Sequence, residues 1–288
     1  MSTATEVGAG ERIIEPRAPG LIARLAELWR DRRLINYFGR RYIRKLYART
    51  FLGWLWIPLR PILEVGAAVL IFGGLLSAPS SGVPYLLFFL VGITAWAVLD
   101  RGLYWMTRSL DLNKRYLKIL YIPRLTMLLG AVLPTLLEAS LYAALLVLAI
   151  FYFVLTDGQS YVVASWALLV APAAIAAVAL VAVSFGFFTA IFGAQSRDMR
   201  FSLSYITRFW FFMTPVIYPL SSVPPSYRTL ACLNPMVAPV EMFRASIFSR
   251  GGHVPATGFA STGLTILLVG GLGLWFYNRS ETAALDGA

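Results

Sequence analysis

The chain has 288 residues, of which 58% are hydrophobic and 14% charged; a soluble domain runs about 45–50% apolar and about 25% charged, so an ordinary cytoplasmic enzyme is excluded. One cysteine, Cys232, and one histidine, His253, exclude a disulfide framework, a thiolate metal cluster and histidine-based zinc or triad chemistry. The net charge of +11 fits either nucleic acid or anionic lipid, and its placement along the chain decides between them.

In chain order, residues 1–20 are polar and rich in Gly and Pro. They read as disordered and unlike a secretory signal, because the first long apolar run begins only after residue 50. Between residues 20 and 50, Leu21, Leu25, Leu28 and Trp29 recur at helical spacing beside Arg24 and Arg32. Tyr37, Tyr42, Ile43 and Tyr47 follow among Arg40, Arg41, Arg44, Lys45 and Arg49. The spacing predicts a basic amphipathic helix, or two, lying on the inner leaflet. A positive flank that only sets topology is the simpler alternative.

A bilayer core about 30 Å thick needs about 20 apolar helical residues. Six segments qualify: 52–76, 84–105, 126–155, 161–192, 202–219 and 259–277. The third and fourth would be about 45 Å long as straight helices, so they must tilt, kink at Pro134 or Pro172, or extend into water. Lys and Arg crowd residues 1–50, 108–124 and 194–208 and recur at Arg279; segments 77–83 and 156–160 have none, and 220–258 has three. The positive-inside rule therefore predicts both termini in the cytoplasm. It also explains the net charge without nucleic acid as a partner. The domain reading is a cytoplasmic tail and interfacial helix over 1–50, an all-α six-span domain over 51–278 and a short cytoplasmic tail over 279–288.

Two connections are not plain turns. Arg108–Arg124, RSLDLNKRYLKILYIPR, is too long for a bare turn and too charged to enter the bilayer. Leu110, Leu117, Leu120, Tyr116 and Tyr121 give it an apolar side, and Pro123 fits a break before the next span. A short cytoplasmic helix there suits docking of a soluble partner; an interfacial turn is the alternative. After the fifth span, Thr229–Phe248 is largely apolar but broken by Pro235 and Pro239 and charged by Glu241 and Arg244. Two short re-entrant helices around an outer cavity or gate would suit it, with a surface loop as the alternative.

Charges inside spans usually face protein or water. Arg60 and Glu64 are spaced to pair on one helix face. Asp100 and Arg101, near the cytoplasmic end of span two, are placed to snorkel. Glu138 falls near mid-bilayer. These acids read either as a polar pathway wall or proton relay, or as structural ion pairs or neutral carboxyls. Trp54, Trp56, Trp105, Trp166 and Trp275 fall where belt aromatics belong. Tyr85, Phe89, Trp96 and Tyr104 on span two, and Phe201, Tyr205, Phe209 and Phe212 on span five, form stripes. Such stripes suit the apolar faces of sugars in a conduit, or simply helix packing or lipid contact. Gly270, Gly271 and Gly273 suggest close helix packing. No GxxxxGK[ST], HExxH, GxSxG or EF-hand pattern occurs, so no catalytic or metal residue is predicted and no P-loop binds ATP in this chain.

A series of short motifs then appears in order. It comprises YIRKLYARTFLGWLW over Tyr42–Trp56, KILYIPR over Lys118–Arg124, SRDM over Ser196–Met199, MTPVIYPLSSVP over Met213–Pro224, LNP over Leu233–Pro235, and Phe243–Arg244. From about residue 30 to 278 the chain resembles the permease subunits of type-2 ABC exporters of polysaccharides and polyol phosphates. It departs from that pattern at Arg60–Pro61, where the family often has Asn-Pro, and at Leu125, where it often has Glu.

The resemblance implies a half-transporter of the bacterial inner membrane. It implies a homodimer of this chain with two copies of a P-loop ATPase that bind ATP and Mg. Asp111, Leu112, Asn113, Lys114, Arg115, Tyr116, Lys118 and Tyr121 would form the coupling helix against the ATPase, helped by the interfacial Leu25, Leu28, Trp29 and Arg32. Glu64, Tyr85, Phe89, Trp96, Glu138, Tyr205, Phe209 and Phe212 would line the conduit. Pro215, Tyr218, Asn234, Pro235, Glu241 and Arg244 would build the outer gate. The cargo would be O-antigen, capsule, teichoic acid or wall glycan on undecaprenyl diphosphate, entering from the inner leaflet. Arg40, Arg41 and Arg44 are placed to attract its diphosphate. Rival readings are a drug or small-lipid exporter, an ion-coupled flippase and a membrane glycan-modifying enzyme.

Overall fold

In lipid, a segment must satisfy its own backbone polar groups, and a helix does so without a neighbour. The computed structural model describes residues 30–47, 51–119, 124–158, 160–162, 166–248 and 255–283, and every regular element among these described residues is helical. In chain order the α-helices are α1 Arg32–Tyr47, α2 Trp56–Ala68, α3 Tyr85–Leu112, α4 Lys114–Ile119, α5 Arg124–Leu129, α6 Val132–Asp157, α7 Val170–Gln195, α8 Arg197–Met213, α9 Pro225–Ala231, α10 Val237–Phe248, α11 Ala256–Leu264 and α12 Gly270–Ala283. A π-helical stretch, Val69–Leu75, continues α2, and another, Thr265–Val269, joins α11 to α12.

Five continuous segments are long and apolar enough to cross a membrane: Gly53–Leu75, Tyr85–Leu112, Arg124–Asp157, Ala167–Gln195 and Ala256–Ser280. The fifth expected segment, 202–219, differs. Its helix, α8, has 17 residues, starts at Arg197 and carries Arg197, Asp198, Arg200 and Arg208. Ser196 is extended, breaks the chain from α7, and its hydroxyl accepts the Asp198 N–H at 3.0 Å. That is the geometry of a serine N-cap, so the helix begins before the apolar run does. At the other end Thr214 is extended and Pro215 follows, and a residue before proline disfavours helical backbone.

α3 is the central post, packed on α6 and α7, with α10 lying across α3 and α7 and α12 against the other face of α7. Leu87, Phe88, Leu90, Val91, Leu99 and Leu103 are all buried, as expected of a helix apolar on every side. The outer helices bury one face and turn Leu136, Leu148 and Phe151 of α6 and Leu267, Leu268 and Leu272 outward. The Arg124–Asp157 segment breaks at Gly130 and Ala131, between α5 and α6. Pro134 sets that break, since a proline ring clashes with the carbonyl four residues earlier. Gly270 and Gly273 lie against Ser184 and Phe188 of α7, while Gly271 meets open space.

α1 is amphipathic, and part of its apolar face packs on protein while Leu34 and Tyr37 stay exposed. Phe38 and Tyr42 are fully buried in a cluster with Trp105, Leu110, Met127 and Leu128. The spacing of Phe38 and Tyr42 puts both on one face, which docks on α5, α6 and the end of α3.

Candidate functional site

The charges of the membrane interior gather at a cavity of about 530 Å³ between α2, α3, α6 and α8. On α2, Arg60 Nε lies 2.9 Å from Glu64 Oε1, and the other Glu64 oxygen accepts the Tyr142 hydroxyl of α6. On α3, Arg101 turns inward rather than snorkelling, at 3.0 Å from Asp100 and 3.3 Å from Glu138 of α6. A carboxylate already held between helices gives the guanidinium a nearer partner than the interface does. Glu138 also accepts the Trp105 indole N–H at 3.1 Å. Trp105 is therefore no belt residue: it is buried and stacked on Tyr42, ring centroids 5.9 Å apart.

Of the expected conduit residues, Glu64, Phe89, Trp96, Glu138 and Phe212 line this cavity. Tyr85 does not: its hydroxyl donates to the Ile217 carbonyl at 2.9 Å. Tyr205 and Phe209 point away from the bundle, 56% and 70% exposed. Leu203 and Thr207 are the buried face of α8, and a 3.6-residue period puts Tyr205 and Phe209 opposite them. Tyr104 of the span-two stripe lines it too, and Asp100, Arg101, Arg108, Tyr142 and Arg208 also line the cavity but were not among the expected lining residues. The signal was there in the spacing: Arg101, Tyr104 and Arg108 share a face of α3, and Tyr142 follows Glu138 by one turn.

At the C-terminal end of α3 lies an elbow. α3 runs on through Asp111 and Leu112, Asn113 is the joint, and α4 follows. Asn113 is fully buried, which removes it from any docking surface. Its Nδ2 donates to the Tyr42 hydroxyl at 2.8 Å and to the Ser109 carbonyl at 2.7 Å. Tyr42 in turn donates to the Met127 carbonyl at 2.8 Å. Burial pushes the Tyr42 phenol up, so it keeps the proton this bond requires. Lys45 Nζ donates to the Leu112 carbonyl at 3.0 Å, a cation at a helix C-terminus. Burial and the nearby Arg41 charge push Lys45 down.

Arg41 lies 4.3 Å over the Tyr116 ring, and Phe38 meets the same ring edge-on. Asp111 pairs with Lys114 at 3.1 Å and with Arg200 of α8 at 3.2 Å. Lys114 and Arg115 face solvent, as do Arg32, Arg40 and Arg44 on α1. Arg41, engaged with Tyr116, is less free to meet a lipid than its neighbours. Leu25, Leu28, Trp29, Tyr121 and the Lys118 side chain lie outside the described residues.

The residues expected at the gate form a closed knot at the other end of α3. Arg244 Nη1 meets Glu241 Oε1 at 2.5 Å, and Nη2 donates to the Pro215 carbonyl at 2.8 Å. The same Glu241 oxygen accepts the Leu220 N–H at 3.2 Å. Asn234 accepts from Trp210 Nε1 at 2.9 Å and donates to Thr214 Oγ1 at 3.0 Å. The Pro235 carbonyl accepts the Thr262 hydroxyl at 2.8 Å. Tyr218 donates to the Phe212 carbonyl at 3.2 Å. Gly92 lets the chain pass close to α3: a Cβ there would lie 2.9 Å from the Val216 carbonyl oxygen.

Among the described residues no group of three His, Cys, Asp or Glu side chains could hold a metal ion. Comparison with known proteins then places the chain. It is similar to the O-antigen export system permease protein RfbA of Myxococcus xanthus, at 26% identity over 233 residues, covering 80% of this chain and 86% of that protein. It is similar to the polysialic acid transport protein KpsM of Escherichia coli, at 22% identity over 256 residues, covering 85% of this chain and 92% of that protein. Residues 33–248 match the ABC-2 type transporter family, a stretch holding the elbow, the cavity and nearly all of the knot. A multi-pass protein of the bacterial inner membrane, the chain belongs to the ABC-2 type transporter family as a permease.

Proposed function

We propose that two copies of this chain form the membrane part of an exporter driven by two separate P-loop ATPase subunits, which bind ATP and Mg. Its cargo is a polysaccharide carried on undecaprenyl diphosphate, moved outward from the cytoplasmic side. Both termini and the elbow face the cytoplasm, on the strength of the Lys and Arg distribution. α9, α10 and the knot then lie on the outer side as a re-entrant gate.

The observation that carries this reading is the charged cavity. An apolar bundle has no use for Arg60, Glu64, Asp100, Arg101 and Glu138 around an open volume unless polar cargo or water faces them. A volume of about 530 Å³ suits a ligand of modest size rather than a polymer, so the cavity is a half-site. The exposed α8 face of Phe201, Tyr205 and Phe209 supports completion of the conduit by a second copy. Export of O-antigen and transport of polysialic acid by the two relatives support a polysaccharide cargo.

The elbow suits the ATPase. Lys114 and Arg115 present charge to solvent, while Asn113, Tyr42 and the Asp111–Arg200 pair tie it to α1, α3 and α8. A displacement of α4 would move those helices as one body, the kind of rigid-element shift that alternates access.

The test is affinity capture of the solubilised chain from its native host with mass spectrometry. A stoichiometric P-loop ATPase is expected, lost when residues 111–121 are scrambled without lowering the melting temperature of the spans. A deletion strain is expected to retain lipid-linked glycan inside the cell. A stable, active chain recovered repeatedly without any ATPase overturns the reading.

A further inference from the structure

On the cavity wall, every carboxylate is matched. Glu64 has Arg60, and Asp100 and Glu138 share Arg101. Two guanidiniums are left over. Arg108 holds its place by donating to the Arg200 carbonyl at 3.1 Å and by lying 3.9 Å over the Tyr104 ring. Arg208 of α8 lies 5.9 Å from the Tyr205 ring. Among the described residues no carboxylate pairs with either. Both line the same cavity, as do the hydroxyl-bearing Ser204 and Thr207.

We propose that Arg108 and Arg208 form a phosphate subsite at the cytoplasmic end of the cavity, holding the phosphate headgroup of a lipid. The proposal rests on the transporter reading for its orientation, and it names the part of the cargo this site grips. Arg108 is half-buried and Arg208 exposed, so both guanidiniums can meet an incoming anion, and a wall with two cations and no carboxylate between them favours one. The guanidinium fork matches phosphate oxygens two at a time, which a lysine does not. A phosphate carrying up to two charges matches two unpaired guanidiniums. A lipid headgroup is favoured over a soluble phosphate because Leu203, Phe211 and Phe212 share the wall, and Phe212 carries that apolar surface outward, 57% exposed. A long apolar tail has somewhere to lie there.

The site also sits where occupancy can be felt. Arg108 is one turn before Asp111, and both are tied to Arg200, Arg108 through the Arg200 carbonyl and Asp111 through its side chain. A headgroup that draws Arg108 into the cavity therefore acts on the elbow.

The chain is reconstituted in phosphatidylcholine nanodiscs and titrated with undecaprenyl monophosphate, with inorganic pyrophosphate as a parallel arm. Saturable binding of the lipid is expected. R108Q and R208Q should each weaken it about tenfold, and the double variant about a hundredfold. R208K should retain part of the affinity. Among the described residues Arg208→Gln removes no hydrogen bond, so its melting temperature should match the wild type and its binding loss reports the site itself. R33Q, at an exposed position of α1, should change binding little. Unchanged lipid binding in R208Q and the double variant overturns the subsite. Pyrophosphate binding as tight as the lipid overturns the lipid assignment. If export by the ATPase complex persists while binding ignores both arginines, this inference fails and the transporter reading stands.

Discussion

The protein keeps two sets of opposite charges inside its helices and builds them in opposite ways. At the cavity, Arg60 and Glu64 pair with side chains 44% and 38% exposed. In the knot, Arg244 and Glu241 pair at 2% and 1% exposure. The residue types and the one-turn spacing are similar, so the difference lies in what surrounds them. An accessible pair is worth about 0–1 kcal/mol and can exchange its partner for water or cargo. A buried pair is costly to break, about 3–5 kcal/mol, because the survivor has nothing else to meet. The first suits a surface that handles a moving polar ligand. The second suits a lock that fixes the chain between α8 and α10.

The largest predicted effect breaks the lock. R244M removes the bonds to Glu241 and the Pro215 carbonyl and leaves Glu241 buried without its cation. It should cost about 3–5 kcal/mol, read as lowered yield and a large drop in melting temperature in detergent. The double variant E241L/R244M should not restore the wild type, although replacing a buried pair with apolar groups is often neutral. Here the Leu220 N–H and the Pro215 carbonyl would lose their partners as well. A double variant as stable as the wild type would show that the pair is ornamental.

Glu138 is the intermediate case and sharpens the contrast. Its side chain is 11% exposed and serves both Arg101 and Trp105. E138Q keeps the shape but removes the charge, leaving Arg101 with Asp100. A loss of about 1–3 kcal/mol is expected, between the two extremes, measured by thermal unfolding.

How much of this was legible before the fold was known follows from the range of each contact. Arg60–Glu64 could be read from spacing, because both partners sit on one helix. So could the five long apolar segments, and the elbow, whose length and charge set it apart. Arg101 could not: its partner Glu138 belongs to another helix, and nothing local tells an inward arginine from a snorkelling one. Trp105 misled for the same reason, since it looks like a belt residue until Tyr42 and Glu138 are brought to it. The knot residues were marked by prolines and by resemblance. Their joining depends on contacts between α10 and the 214–220 segment, which no periodicity predicts. The start of α8 was missed because its first turn is polar and is set by the Ser196 cap rather than by hydrophobicity.

Tyr42 tests whether the elbow belongs with the lock or with the wall. Y42F removes the donor to Met127 and the acceptor for Asn113 but keeps the stack on Trp105. The cost should be about 1 kcal/mol, too little to unfold the chain. Export should fall by much more than the stability does, because α1 would no longer move with Asn113. If ATPase-driven export tracks the small stability loss alone, the elbow is packing and not transmission.

The smallest effect on stability is expected at Arg60 and Glu64, and there the comparison is most exposed to failure. R60Q and E64Q each lose a pair that is more than a third exposed, so melting should shift by less than about 1 kcal/mol equivalent. E64Q keeps an oxygen to accept the Tyr142 hydroxyl, which limits the damage to the charge itself. Export should nonetheless drop in both variants, measured as glycan reaching the cell surface at equal protein level. The charge-swapped pair R60E/E64R should restore stability without restoring export, because a wall that meets a polar ligand depends on where each sign sits. Full export in the swapped chain would mean that this pair too only holds helices together, and the two regions would differ in degree of burial alone.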